Sequence, residues 1–420
     1  VSTNTGAGTN SGRNADTHAA AAPRRLLQIG AGNIGRGYMA QLFHEAGYRV
    51  VFADAVEPVV AALNAAGSYP LRVLDAYAGA ARELEIGPVR AVMIQDEAAF
   101  TEEVVAADVL STAVGVPNLP RLAPALARAL IARRARGVGG IDIFLCENTL
   151  TAGRDLQAAV MEAVGASAAA ESDPEAAARW IEEHVGFVGT SVARMVPVIS
   201  EELRATQPLL VVADAYRPLP YDARAVRNVV PELPELSPRD NFPAEVARKL
   251  FLYNMCHASL AYLGAECSYT WVHQTLETPE LREIFVGAAE EVSRALEAEY
   301  PGEITREQNE AILADILVRY GNPLLQDTIA RVGRDPARKL SRNDRLIGAA
   351  LLCERHGIRP DNILRIIAAA FRYSDETGAV SPAGLLAGTG AETAVTEVCS
   401  VAPEEPLHRA LVEALTTDRG

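Results

Sequence analysis

The chain has 420 residues, 49% hydrophobic and 22% charged, with a formal net charge of -15; this is too long for one ordinary core and predicts a soluble globular protein of two domains. The acidic total excludes a duplex-DNA binder, which needs a basic face to displace counterions, and no run approaches the roughly eighteen apolar residues of a membrane span. Cys146, Cys256, Cys267, Cys353 and Cys399 form an odd set with no C-x-x-C pair, so neither a disulfide framework nor a structural zinc site is expected, and a reducing cytoplasm suits them.

Residues 1–22, rich in Ala, Thr, Asn, Gly and Ser, are expected to be a disordered tail. The first element is the apolar run Leu26-Leu27-Gln28-Ile29, which ends in glycines; Arg49-Val50-Val51-Phe52-Ala53 is a second β-like run. Further strands are expected at 108–114 and 141–145, with a helix at 122–132 between them. Strands and helices in alternation predict a parallel sheet covered on both faces. Residues 185–197 and 208–215 look like additional strands of the same sheet. Past Pro231, Pro234 and Pro238 the pattern becomes almost wholly helical. Leu281, Ile284, Phe285, Ala288, Val292 and Leu296 form one apolar stripe, and helical periods recur at 304–319, 343–355, 360–372 and 404–415. The expected fold is therefore α/β: a Rossmann-type doubly wound sheet domain over 23–240, followed by a mostly α-helical domain over 241–420.

Gly30, Gly32 and Gly35 make a G-x-G-x-x-G that includes Asn33 and Ile34, directly after the first strand and before a helix at 38–46. In that setting Gly30 allows the tight turn, Gly32 lets backbone N–H groups approach a pyrophosphate, and Gly35 lets helix and strand pack closely. Asp54, 24 residues after Gly30, ends the second strand. A carboxylate there accepts ribose hydroxyls and repels a 2′-phosphate, which favours NAD over NADP. Ala113 and Val114, at the end of a later strand, are expected against the cofactor as well. On this fingerprint alone FAD binding or a non-catalytic nucleotide sensor stays open.

The helical part opens with Asp240-Asn241-Phe242-Pro243-Ala244-Glu245, which supplies a cap, a first-turn proline and an acid for the helix dipole. On a regular α-helix, Lys249, Asn254 and His257 fall within an arc of roughly 140°. They sit among Leu250, Phe251, Leu252 and Met255, a costly place for three polar groups. Alcohol oxidation needs a hydride acceptor, a base and donors for the developing alkoxide. A desolvated lysine can be the base, and amides can be the donors. Asn148, at the carboxyl end of the strand at 141–145, offers a second amide. Taken singly, each of these residues is as readily a satisfied structural polar group. His44, His184, His273, His356 and His408 lack metal-ligand spacing, so no metal site is expected.

K-x-x-x-x-N-x-x-H at 249–257, the glycine segment at 30–37, Ser111-Thr112-Ala113-Val114-Gly115, Cys146-Glu147-Asn148, the stretch at 183–188 and Asn322-Pro323 stand in order along the chain. So do Arg331-Val332-Gly333-Arg334 and Arg338-Lys339-Leu340. This set resembles the polyol-specific long-chain dehydrogenases/reductases. The resemblance implies a metal-independent, NAD-dependent enzyme with its active site between the two domains. It implies Lys249 as general base, Asn148 and Asn254 as the oxyanion hole, and His257 in substrate binding. The implied reaction is D-mannitol 1-phosphate plus NAD giving D-fructose 6-phosphate plus NADH, by a monomer or weak homo-oligomer with no nucleic-acid or membrane partner. A free polyol, an aldonate such as altronate, or a regulatory role without catalysis are the alternatives.

Two segments depart from the family pattern. Ala193 stands where an Asp is usual, and 267–273 lacks the usual glycine-bearing turn. Arg334, Arg338, Lys339, Arg342 and Arg345 form a dense basic cluster. Arg338, Lys339 and Arg345 are candidates to hold a sugar phosphate. The alternative is a solvated helix end neutralised by Asp335 and Asp344.

Overall fold

The computed structural model describes residues 23–149, 151–166, 173–374 and 381–417; the expected tail at 1–22 lies outside them. Eleven strands are present among these residues: β1 (Arg25–Ile29), β2 (Arg49–Asp54), β3 (Tyr69–Asp75), β4 (Ala80–Ile86), β5 (Val89–Met93) and β6 (Val109–Thr112). The rest are β7 (Ile141–Leu145), β8 (Val185–Gly189), β9 (Val211–Asp214), β10 (Leu219–Asp222) and β11 (Leu236–Arg239).

Six of them form an all-parallel sheet in the order β5-β2-β1-β6-β7-β8. Counting only these six, the order is the doubly wound 3-2-1-4-5-6, and the strand order reverses between β1 and β6. Both faces are covered, so the strands are apolar at nearly every position. Leu26, Val50 and Phe52 point into one core with Tyr38 and Phe43, while Leu27, Ile29, Val51 and Ala53 point into the other with Phe100, Leu126 and Leu156.

The structure corrects the expected sheet in two respects. Only 185–189 of the stretch 185–197 joins it, as β8 beside β7. The run at 208–215 does not: β9 pairs with β3, which also forms an antiparallel hairpin with β4, giving a separate three-stranded sheet. The β3–β4 hairpin and β5 carry no apolar run of the kind that marks β1. β4 is mostly exposed, with Arg82, Glu83 and Glu85 along it.

From Phe242 onward the described chain is helical. The helices include Phe242–Arg248, Met255–Glu266, Pro279–Glu299, Arg306–Tyr320, Ile347–Arg355, Asp361–Arg372 and Pro406–Thr416. They enclose a third core that also takes in Leu74, Met195, Leu210 and Val212 from the chain before Phe242. The helical part therefore packs on the small sheet, and buried charge reinforces that contact. Arg319 and Asp214, 3% and 2% exposed, form an ion pair there. Ser268 ends the turn after the helix Met255–Glu266 with φ +57°, the left-handed conformation a glycine adopts without penalty. Among the described residues no helix is long and apolar enough to cross a membrane.

Candidate active site

The glycine loop leaves β1 at the carboxyl edge of the sheet, where the strand order reverses. Gly30 has φ +92°, and a Cβ there would stand 2.5 Å from the Ala113 carbonyl oxygen at the end of β6. A Cβ on Gly35 would collide with the Gly30 carbonyl oxygen, whereas one on Gly32 would meet nothing within 4 Å. The three glycines thus have separate reasons: turn, close packing and open approach. Gly35→Ala is expected to destabilise the fold by about 1–3 kcal/mol in denaturant titration, the usual cost of overpacking, and Gly32→Ala by less than about 0.5 kcal/mol.

Gly30, Gly32, Asp54, Ala113 and Val114 line a crevice of about 760 Å³. Asp54 accepts the Ala31 N–H on Oδ2 at 2.6 Å and the Val56 N–H on Oδ1 at 2.9 Å. Each oxygen keeps acceptor capacity for a ribose hydroxyl. Asn33 is exposed, Ile34 packs against the core, and neither is part of the crevice wall. Arg36, not singled out by motif, is buried and fastens the loop. Its Nε donates to the Ala31 carbonyl at 2.7 Å and its Nη1 to the Leu209 carbonyl at 2.6 Å. A π-helical segment, Gly35–Met39, carries Arg36 into the helix Ala40–Glu45.

A second, smaller cavity of about 170 Å³ lies between the ends of β7 and β8 and the helical part. Asn148, Lys249, Asn254, Arg338 and Arg345 are on its wall, together with Ser191 after β8. Glu147 joins the two cavities. It lines the smaller one, while its carboxylate accepts the Val114 N–H at 2.9 Å and the Thr112 hydroxyl at 2.7 Å. Burial pushes the Glu147 carboxyl up, and these hydrogen bonds oppose the shift.

Lys249 and Asn254 share one cavity wall for a reason the sequence period hides. Residues Lys249–Asn254 form a π-helical turn inside the run from Phe242 to Glu266. A π turn, with i→i+5 hydrogen bonds and about 4.4 residues per turn, leaves residues five apart only about 50° apart around the axis, where a regular α-helix would splay them by about 140°. Lys249 Nζ donates to Asn148 Oδ1. With its oxygen on the amine, the Asn148 amide keeps its NH₂ group as a donor. The Asn254 side chain makes no hydrogen bond to another described residue and is free to donate into the same space. Burial, and then the positive charge of Arg345, pull the Lys249 amine down to about 8. A neutral amine beside two amide donors can take a hydroxyl proton and stabilise the oxygen left behind.

His257 lies one turn further and is not part of that wall. Its Nε2 is 2.8 Å from Asp327 Oδ2, and its ring stacks on Tyr320 at 4.8 Å. Arg331 grips both Asp327 oxygens at 2.6 Å. Burial would raise the Asp327 carboxyl, but the His257 and Arg331 contacts outweigh it and hold the group down at about 2.

The basic cluster divides. Arg338 and Arg345 face the cavity, both in contact with Asp344. Lys339 is turned away, with its amine on the Val332 and Arg334 carbonyls. Arg342 is paired with Glu405 at 2.7 Å. Among the described residues no group of three His, Cys, Asp or Glu side chains could hold a metal ion.

Comparison with known proteins agrees with this architecture. The profile of the mannitol dehydrogenase Rossmann domain matches residues 24–234, and that of the mannitol dehydrogenase C-terminal domain matches 244–383. A mannitol-1-phosphate 5-dehydrogenase of Pseudarthrobacter chlorophenolicus is 34% identical over 407 residues, covering 94% of this chain and 97% of the relative. Among solved structures, a substrate-free D-sorbitol dehydrogenase superposes with a TM-score of 0.70 at 17% identity, covering 85% of this chain and 82% of its own. Mannitol 2-dehydrogenase of Pseudomonas fluorescens, in a ternary complex with NAD and D-mannitol, gives 0.68 at 18% identity, covering 94% and 92%.

Proposed function

The chain belongs to the mannitol dehydrogenase family, and from that premise we propose that it interconverts D-mannitol 1-phosphate and D-fructose 6-phosphate with NAD, using Lys249 as the base. The observation that carries this reading is the Lys249 amine held on the Asn148 amide, in a cavity joined through Glu147 to the glycine-loop crevice. The residues of that crevice fit a dinucleotide: an open Gly32 for the pyrophosphate and Asp54 for the adenosine ribose. When bound, the nicotinamide supplies the hydride acceptor.

The protein's own part is acid–base and electrostatic. Neutral Lys249 takes the hydroxyl proton as the substrate carbon loses its hydride. Asn148 and Asn254 donate to the oxygen while it carries negative charge, and Lys249 then releases its proton to solvent. In the reverse direction the Lys249 ammonium protonates the carbonyl oxygen. His257, fixed by Asp327, orients a substrate hydroxyl. Residues 23–240 hold the dinucleotide and lend Asn148 to the substrate site, and 241–420 supply the rest of that site, in a cytoplasmic protein acting as a monomer or weak homo-oligomer. The Gly32→Ala variant is expected to fold normally yet bind NADH at least about tenfold more weakly, because its methyl occupies the approach to the pyrophosphate.

Arg338 and Arg345 are the phosphate-binding pair in this reading, and Lys339, anchored on carbonyls, is a buttress. Comparing kcat/KM for mannitol 1-phosphate and for mannitol tests it. A preference of about a hundredfold or more for the ester is expected from two charge-assisted contacts. In the rival reading Asp344 neutralises the two arginines and the substrate is a free polyol; equal turnover of the two compounds would favour it.

A further inference from the structure

We propose that Asp344 is the positioning residue of the anion subsite, an internal carboxylate that sets the two arginines for a phosphate monoester; this rests on the phosphate reading above. One oxygen, Oδ1, accepts Arg345 Nε at 2.7 Å and the Arg345 backbone N–H at 2.6 Å. The other, Oδ2, accepts Arg338 Nη1 at 2.9 Å. Arg338 Nε is taken by Asp335 Oδ2 at 2.6 Å. Each guanidinium is therefore pinned by part of its fork while the rest stays open.

What remains is specific. Arg345 Nη1 and Nη2, and Arg338 Nη2, have no hydrogen-bond partner among the described residues; the two Arg345 groups are not sealed from solvent, and the Arg338 side chain is half exposed. Both side chains line the cavity that holds Lys249. Three Nη groups on two pinned guanidinium planes can each meet an oxygen of one phosphate. A long arginine loses rotamer freedom on binding an anion, and pinning it beforehand removes that loss from the binding step. The carboxylate has a second effect. It offsets one of the two positive charges, so the subsite gains orientation in return for some raw attraction.

Asparagine at this position keeps the volume but has one acceptor oxygen, so it cannot bridge both guanidinium groups, and its NH₂ would face a cation. Removing the carboxylate therefore sets two effects against each other: lost orientation weakens phosphate binding, and added positive charge strengthens it. Orientation outweighs the added charge.

The test measures kcat and KM of wild type, Asp344→Asn and Asp344→Glu with mannitol 1-phosphate and with mannitol, and inhibition by inorganic phosphate. In Asp344→Asn the preference for the ester is expected to fall about tenfold, through KM rather than kcat, with inorganic phosphate inhibiting more weakly by a similar factor. Asp344→Glu, which keeps a bridging carboxylate, should retain more of the preference than Asp344→Asn. It also serves as the comparison with wild type if the asparagine variant does not fold. A wild type that prefers the ester, with variants whose preference is unchanged or increased, would overturn the role of Asp344 alone. A wild type without preference would overturn the phosphate reading beneath it.

Discussion

Lys249→Ala is expected to lower kcat for polyol-phosphate oxidation by about three orders of magnitude, within the range for loss of a general base, while leaving NADH affinity within about threefold. The split follows from position. Lys249 lines the small cavity and not the glycine-loop crevice, so under the proposed mechanism its loss removes proton transfer and spares the dinucleotide. Lys249→Arg should be nearly as inactive, because a guanidinium stays protonated and cannot serve as base near neutral pH. Normal NADH binding with no reduction of fructose 6-phosphate would identify catalysis, not folding, as what was lost. Unchanged reductase activity in Lys249→Ala would refute the mechanism.

The largest effect on stability is expected at Arg319. Its Nε donates to Asp214 Oδ2 at 2.8 Å, its Nη2 to the Ala193 carbonyl at 2.7 Å, and its Nη1 lies 3.1 Å from Asp315. The guanidinium also sits 4.2 Å over the Tyr216 ring. Burial pushes the Asp214 carboxyl up although Arg319 opposes it, so an unpaired Asp214 would be a poorly solvated charge. Arg319→Met should therefore cost about 3–5 kcal/mol in urea unfolding, the range for breaking a buried pair from one side. Arg319→Met with Asp214→Leu should recover part of that loss, because Asp214 is no longer stranded, while the buried Arg194 guanidinium beside it loses its nearest carboxylate. A single-variant cost below about 1 kcal/mol would mean that the pair does not hold the helical part to the small sheet. Ala193 matters here. Residue 193 offers Arg319 its backbone carbonyl, and Asp214 and Asp315 are the carboxylates paired with the guanidinium.

Much of this was legible in the residues, and the parts that were not share a physical cause. β1, β2, β6 and β7 are buried on both faces, so burial writes itself into them as unbroken apolar runs. The glycines and Asp54 are set by local backbone demands, which sequence spacing preserves. The β3–β4 hairpin leaves no apolar signature in the sequence, because its outer strand faces solvent and carries charge. β9 was recognisable as a strand, but which sheet it joins depends on β3, far away in sequence.

At the candidate site, residue types pointed to Lys249, Asn254 and Asn148, but a uniform helical period could not reveal the π turn that brings the first two together. Nor could spacing divide Arg338 and Arg345, on the cavity wall, from Lys339, whose amine is spent on carbonyls five and seven residues back. Arg36 and Asp327 act through backbone and side-chain partners that only the folded chain supplies.

The most direct test of the central claim is the pH dependence of kcat/KM measured in both directions on wild-type enzyme. In the proposed mechanism oxidation needs the neutral Lys249 amine and reduction needs its ammonium, and burial beside Arg345 pulls that group down to about 8. The expected profiles mirror each other: oxidation is lost as pH falls below about 8, and reduction is lost as pH rises above it. Two profiles that fall on the same side, or that show no break between pH 7 and 9, would contradict Lys249 as the group that carries the proton.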